Sequence, residues 1–224
     1  MLLLFPSPTA RPGTVSGLSF MRDRLRTRNG FTLIEALVAI SIMALAGSVL
    51  LLAAQTSLDA TDDAGKQAIA QGICDQVLDE IMSHRYMETG EAYDKNVLNA
   101  NSGESIRQLW DDTDDFNSYS VQPIQDTYGQ TLGNGDDAGG TRHANFKVVN
   151  GFFAKWRLRV DIYYVSSTDL SQRLDSPPVA AGGNLTTASG YRCAEATVDY
   201  QDADGTYRTL AKGRRVYAYM PPPT

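Results

Sequence analysis

Between Phe31 and Ala54 the chain is almost continuously apolar, and from Ala36 to Ala54 every residue is apolar or small, without charge or proline. Beyond Ala54 polar residues enter but nothing breaks the run, since no proline occurs between Pro12 and Pro123. Ile69, Ile73, Val77 and Ile81 recur every four residues, while Lys66, Asp75, Asp79 and Glu80 occupy other faces. This patterning predicts one helix from about Phe31 to Ser83, wholly apolar over 31–54 and amphipathic over 55–83. A different period takes over after Asn145. Trp156, Leu158, Val160 and Ile162 alternate with Arg157, Arg159 and Asp161, the signature of a half-buried strand. Ala194, Ala196, Val198 and Tyr200 repeat the alternation, and Arg208–Tyr219 is a third candidate strand. Asp202-Ala203-Asp204-Gly205 lies between the last two and reads as a hairpin turn. Residues 84–128 read as loop, as do Gly133–Gly140 and the Ser-, Pro- and Gly-rich stretch Ser171–Gly190. The predicted fold class is α+β: a long amino-terminal helix laid against an antiparallel sheet in a head spanning 84–224.

Charge divides along the same boundary. Residues 1–30 contain five Arg and one Asp, whereas the remainder holds 15 Lys+Arg against 25 Asp+Glu, a net charge of −10. So acidic a body is a poor partner for nucleic acid, which requires clustered Lys and Arg at its phosphates. The 24 residues from Phe31 to Ala54 are long enough to cross a ~30 Å hydrocarbon layer at ~1.5 Å per residue. Arg22, Arg24, Arg26 and Arg28 precede the run, and Asp59, Asp62 and Asp63 follow it, so the leader is expected in the cytoplasm and the head outside. Met1 and Met21 are both possible starts.

One residue does not suit that span. Glu35 places a carboxylate near the start of the apolar helix, where an acid costs roughly 2.5–3.5 kcal/mol at the membrane centre. A secretory signal peptide cleaved near Ala46 or Ala54 and an uncleaved signal anchor both leave that charge unexplained. Gly30-Phe31-Thr32-Leu33-Ile34-Glu35 resembles the processing motif of type IV prepilins and type II secretion pseudopilins. The resemblance implies a pilin-like architecture and removal of residues 1–30 by prepilin peptidase between Gly30 and Phe31. It further implies N-methylation of Phe31 and an assembly role for Glu35. The family often has Lys or Arg directly before the glycine; here Asn29 stands there and Arg28 is one step back. Many pilins also carry a kinking proline midway along the membrane helix, close to where this chain has Leu52.

The chemistry fits the implied roles. Glycine lets an extended backbone enter a protease without side-chain clash. The cut releases an α-amine that is largely protonated at neutral pH. Glu35 lies about 6 Å along the helix from it, within reach of its own amine or, after an axial step, of a neighbouring subunit's amine. The implied partners are prepilin peptidase, other major and minor pilins, and an inner-membrane platform protein with its assembly ATPase. The implied location is the inner membrane and then a pilus or pseudopilus in the periplasm or at the cell surface. Shorter matches at Ala70-Gln71, Gln76–Ile81, Asp111–Phe116 and Trp156–Val165 are similar to the D-type minor pilin of the mannose-sensitive haemagglutinin pilus group. Minor pseudopilin I of type II secretion shares the helix style. Initiation or tip adhesion is the role this implies. The competing class is an exported or membrane-anchored binding domain that never polymerises.

Other residues carry less. Asp111, Asp112, Asp114 and Asp115 form a carboxylate cluster that reads as a solvated acidic turn, or as weak candidates for Ca²⁺, without EF-hand spacing. Cys74 and Cys193 have no metal spacing; they read as two separate buried thiols or, after export, as a possible disulfide. His84 and His143 read as surface residues, and no GxSxG, Walker A, HExxH or GxGxxG stands in its required context, so neither an enzyme nor a cofactor is expected. Tyr163, Tyr164, Tyr217 and Tyr219 are an exposed patch or, by strand period, partly core.

Overall fold

A computed structural model describes residues 31–175 and 187–221, so the leader through Gly30 and part of the 171–190 loop lie outside the described residues. Helix α1 runs Leu33–Ser83, two residues short of the expected start. Four strands follow: β1 Tyr119–Val121, β2 Trp156–Tyr164, β3 Tyr191–Gln201 and β4 Tyr207–Ala218. They form one antiparallel sheet in the order β1-β2-β3-β4. The α+β class and the pilin-like helix-on-sheet arrangement are thus as expected from sequence. By internal contact the chain divides into two units, Met1–Ala53 and Ala54–Thr224.

Within the described part of the first unit, the large apolar side chains of α1 face outward, and none of its most apolar window is buried. By length and composition this helix is able to cross a membrane. In the second unit α1 buries Ala70, Ile73, Cys74, Val77, Leu78 and Ile81, a stripe at helical spacing. Ile69, expected on that stripe, is 40% exposed. A strict four-residue step drifts around a helix of 3.6 residues per turn, so the fourth member backwards from Ile81 has rotated off the face.

The stripe meets Leu158, Val160 and Ile162 of β2 and Ala194, Ala196 and Val198 of β3, all fully or nearly fully buried. Each large side chain so buried contributes about 1.5–3 kcal/mol, far more than any helix propensity in this polar-flanked segment. Small residues set how closely helix and sheet approach. Ala196 pairs with Gly213 across β3–β4, and a Cβ on Gly213 would lie 2.8 Å from Leu78 Cδ1 and 3.6 Å from Cys74 Cβ. Salt bridges tie the flanks of α1 to the head: Arg208 to Asp63 at 3.1 Å, Arg215 to Asp79, and Arg107 to Glu80 with Nε–Oε1 at 2.9 Å.

The β3–β4 turn is the expected hairpin. Asp202 N–H donates to Thr206 O at 2.9 Å, Gly205 N–H donates to Asp202 O at 3.1 Å, and Gly205 adopts φ +86°. On the sheet face away from α1, Asp199 is 1% exposed yet fully engaged. Its oxygens accept from Arg157 Nη2 at 2.9 Å, Arg159 Nε at 2.8 Å and Thr209 Oγ1 at 2.8 Å. These bonds outweigh burial, which alone would raise the Asp199 pKa, and hold it below the usual carboxylate range.

Candidate functional site

The amino-terminal turn of α1 shows how Glu35 is held. Thr32 precedes the first helical residue, and its Oγ1 accepts the Glu35 N–H at 3.3 Å. The Glu35 carboxylate turns back toward the same hydroxyl, with Thr32 Oγ1 donating to Oε2 at 3.4 Å. Ala36 N–H donates to Thr32 O at 3.1 Å, closing the first turn. This Thr-x-x-Glu arrangement is a form of capping box, a signal that was legible in the sequence. A carboxylate in the first turn also interacts favourably with the positive end of the helix dipole. Glu35 and Phe31 are both exposed, Phe31 to 71%, and Leu33, Ile34 and Leu37 beside them are exposed too. The processing position Gly30 lies outside the described residues.

The acidic run of the head differs from the solvated turn expected. Asp112 and Asp114 are fully buried and Asp115 is 3% exposed. Their neutralising partners come from distant sequence. Arg192 on β3, itself 0% exposed, donates through Nη1 to Asp114 Oδ1 at 3.0 Å and to the Tyr86 carbonyl at 2.6 Å. Arg192 also donates from Nη2 to Tyr164 OH at 3.3 Å and lies over the Tyr86 ring. Lys95 Nζ contacts Asp114 Oδ2 at 2.5 Å and Glu91 Oε2 at 2.6 Å. Backbone amides do the rest: Asp115 Oδ2 accepts from Asp111 and Asp112, and Asp112 Oδ1 accepts from Asp114.

Four oxygens in this cluster, Asp111 Oδ1, Asp112 Oδ2, Asp114 Oδ2 and Asp115 Oδ1, are buried without a hydrogen-bond partner. Burial, reinforced by the charge of Asp114, pushes the Asp112 carboxyl up to about 8. Burial likewise lifts Asp115 to about 6 despite its two amide donors. Burial would lower the Lys95 pKa, but its ion pairs with Asp114 and Glu91 prevail and raise it. Of the four candidate metal ligands, Asp112 and Asp114 converge with Glu91, their oxygens within 4.8 Å of one another, and Asp111 groups with Glu88 and Glu104. The cation among the first group is the Lys95 ammonium, while Asp111 pairs with Arg85.

The remaining candidates are scattered. Cys74 and Cys193 are free and fully buried on opposite faces of the sheet, so the possible disulfide is not formed. Cys74 lies in the helix–sheet seam; Cys193 packs with Tyr163, Val165 and Val216 on the far face. Tyr163 and Tyr164 are buried, and Tyr217 and Tyr219 are half-buried, so these four make no exposed patch. Their period fails because Tyr163 has its own small core on the far face. His84 is half-buried, its Nδ1 at 2.8 Å from Glu80 O and its ring edge-on to Phe116; His143 is exposed in its loop. Arg192, Lys95 and Glu91 are the members of the charge cluster that sequence reasoning missed.

Residues 25–51 match the profile of the prokaryotic N-terminal methylation motif. No curated protein and no solved structure matches the chain. The motif, together with the long apolar helix, supports a subunit of the type IV pilin or pseudopilin kind, processed by prepilin peptidase and assembled with other pilins. It implies a structural subunit rather than an enzyme, held in a membrane by its amino-terminal helix.

Proposed function

We propose that this chain is a minor pilin or pseudopilin subunit, most similar to the D-type minor pilins of the mannose-sensitive haemagglutinin group, acting in filament initiation or at the tip. It is cut between Gly30 and Phe31, methylated at Phe31, and drawn from the inner membrane into a filament by a platform protein with its assembly ATPase. The observation that carries this reading is the methylation motif at 25–51 together with a helix whose amino-terminal half leaves its large apolar side chains exposed for packing.

Glu35 is the assembly residue in this proposal. A carboxylate buried among apolar helices needs a cation, and the new amine of an adjacent subunit supplies one of opposite charge at a fixed axial offset. That pairing sets register between neighbouring helices.

Mass spectrometry of the mature amino terminus tests the processing step. N-methyl-Phe at position 31 supports it, whereas a start near Gly47 or Gln55 would identify an exported domain that does not polymerise. The assembly step has its own test. Glu35→Ala is expected to insert and be cut normally but to be depleted from sheared filaments, while Thr32→Ala, which removes only the cap, enters them. Equal entry of both variants would remove the assembly role from Glu35.

A further inference from the structure

Lys95 and Asp114 form a short, largely buried ion pair in the head. Asp114 is fully buried, the Lys95 side chain is 15% exposed, and Nζ and Oδ2 are 2.5 Å apart. Yet Asp114 Oδ2 has no partner in hydrogen-bonding geometry, so the amine approaches the carboxyl off the hydrogen-bond line. Three further groups surround the pair, the oxygens of Glu91, Asp112 and Asp114 lying within 4.8 Å of one another. Glu91 Oε2 is 2.6 Å from Lys95 Nζ, Arg192 Nη1 is 3.0 Å from Asp114 Oδ1, and Asp112 contributes the fully buried, unpartnered Oδ2.

We propose that Lys95 and Asp114 condense spontaneously into an isopeptide bond, making this a self-crosslinking site. Each surrounding group has a part in the step. The ion pairs favour the ammonium, so the reactive neutral amine forms only transiently, when Glu91 accepts one proton from Lys95. The nitrogen lone pair attacks Asp114 Cγ, and the negative charge gathers on Oδ1, where the Arg192 guanidinium stabilises it. Asp112, as a buried carboxylic acid, gives its proton to Oδ2. The nitrogen returns a proton to Asp112, and Glu91 delivers its own to the departing oxygen. One C–N bond forms, one C–O bond breaks, and one water leaves; Glu91 and Asp112 end as they began, and no oxidant or reductant is involved.

Two physical terms favour the step here over the same pair in water. Reacting groups held in contact behave as though at effective concentrations of ~10⁵–10⁸ M. The released water leaves a site walled by Tyr164, which is fully buried, and Tyr86, which is half-buried, so the reverse hydrolysis lacks solvent. The product joins Lys95, in the loop after α1, to Asp114 at the start of the 3-10 turn Asp114–Phe116 that precedes β1. It thereby closes the irregular segment 95–114 into a covalent ring, with an effect on the unfolded chain like that of a disulfide but independent of redox conditions.

The inference goes beyond the filament reading and does not depend on it. The test is the intact mass of the full-length chain, purified in detergent and fully denatured. A mass lower by one water, and a branched tryptic fragment joining Lys95 to Asp114, are expected. Lys95→Arg keeps the charge but cannot form this amide, and its mass should be that of its unmodified sequence. Glu91→Gln and Asp112→Asn should slow the loss of water, so that freshly made protein shows both masses and shifts with time. Wild-type chain that keeps its full mass after prolonged incubation in the folded state would overturn the proposal and leave an ion pair only. So would a mass loss that persists in Lys95→Arg.

Discussion

Gly213 offers the sharpest test of how the amphipathic half of α1 is seated. A Cβ at this position would stand 2.8 Å from Leu78 Cδ1, closer than real carbon contacts allow, and 3.6 Å from Cys74 Cβ. Leu78 is 1% exposed, so its methyl has no open space to enter. Gly213→Val therefore forces Leu78 off its rotamer or lifts the helix from the sheet. Overpacking of this kind costs about 1–3 kcal/mol, partly offset by up to about 1 kcal/mol from replacing a strand glycine with a β-branched residue. The net expectation is about 1–2 kcal/mol of lost stability, a fall in Tm of roughly 2–8 °C for a unit of this size. Urea unfolding followed through the buried Trp156 measures it. Leu78→Ala alone should cost about 2–5 kcal/mol, but in the Gly213→Val background it also relieves the clash. The double variant should thus be more stable than the sum of the single effects by about 1 kcal/mol or more. Additivity within about 0.5 kcal/mol, or a Gly213→Val midpoint equal to that of the parent, would refute the close approach.

Three further outcomes follow from particular contacts. Asp199 has a depressed pKa in the folded head, so its contribution is present above the unfolded value near 3.9 and is lost as pH falls through the folded value; Asp199→Asn should flatten the acid limb of a stability–pH curve below about pH 4. Arg192→Met leaves Asp114 buried with one cation fewer and should cost about 3–5 kcal/mol by urea unfolding, against about 1 kcal/mol or less for Arg142→Met at the exposed Asp137 pair. Thr32→Val removes the cap acceptor, and the Glu35 amide should exchange several-fold faster in detergent micelles, whereas Thr32→Ser should preserve its protection.

The elements that stood out in the sequence are those whose pattern is local and long. Helix α1 and strands β2 and β3 carry apolar or alternating runs long enough for the type of element to be read directly, and β4 a strand-like run of similar length. Strand β1, three residues from Tyr119 to Val121, is too short to show a period and exists through its pairing with Leu158–Val160. The charge cluster was hidden for another reason. Four aspartates within five positions resemble a solvated turn unless the cations are known, and Arg192 lies 78 residues from Asp114. Short-range pattern carries no record of such a pairing. Glu35 is legible as an anomaly and its motif gives it a role, whereas its Thr32 cap is a helix-end signal masked by the apolar run around it.

The separation of the two cysteines has a practical consequence for following how the head comes apart. Cys74 reports on the seam between helix and sheet, and burial lifts its thiol to about 11, so it reacts only when that seam opens. Cys193 sits in the small core on the other side of the same strand. Reagents that modify thiols therefore address two separate doors, and the order in which the two sulfurs become reactive tells which side of the sheet yields first.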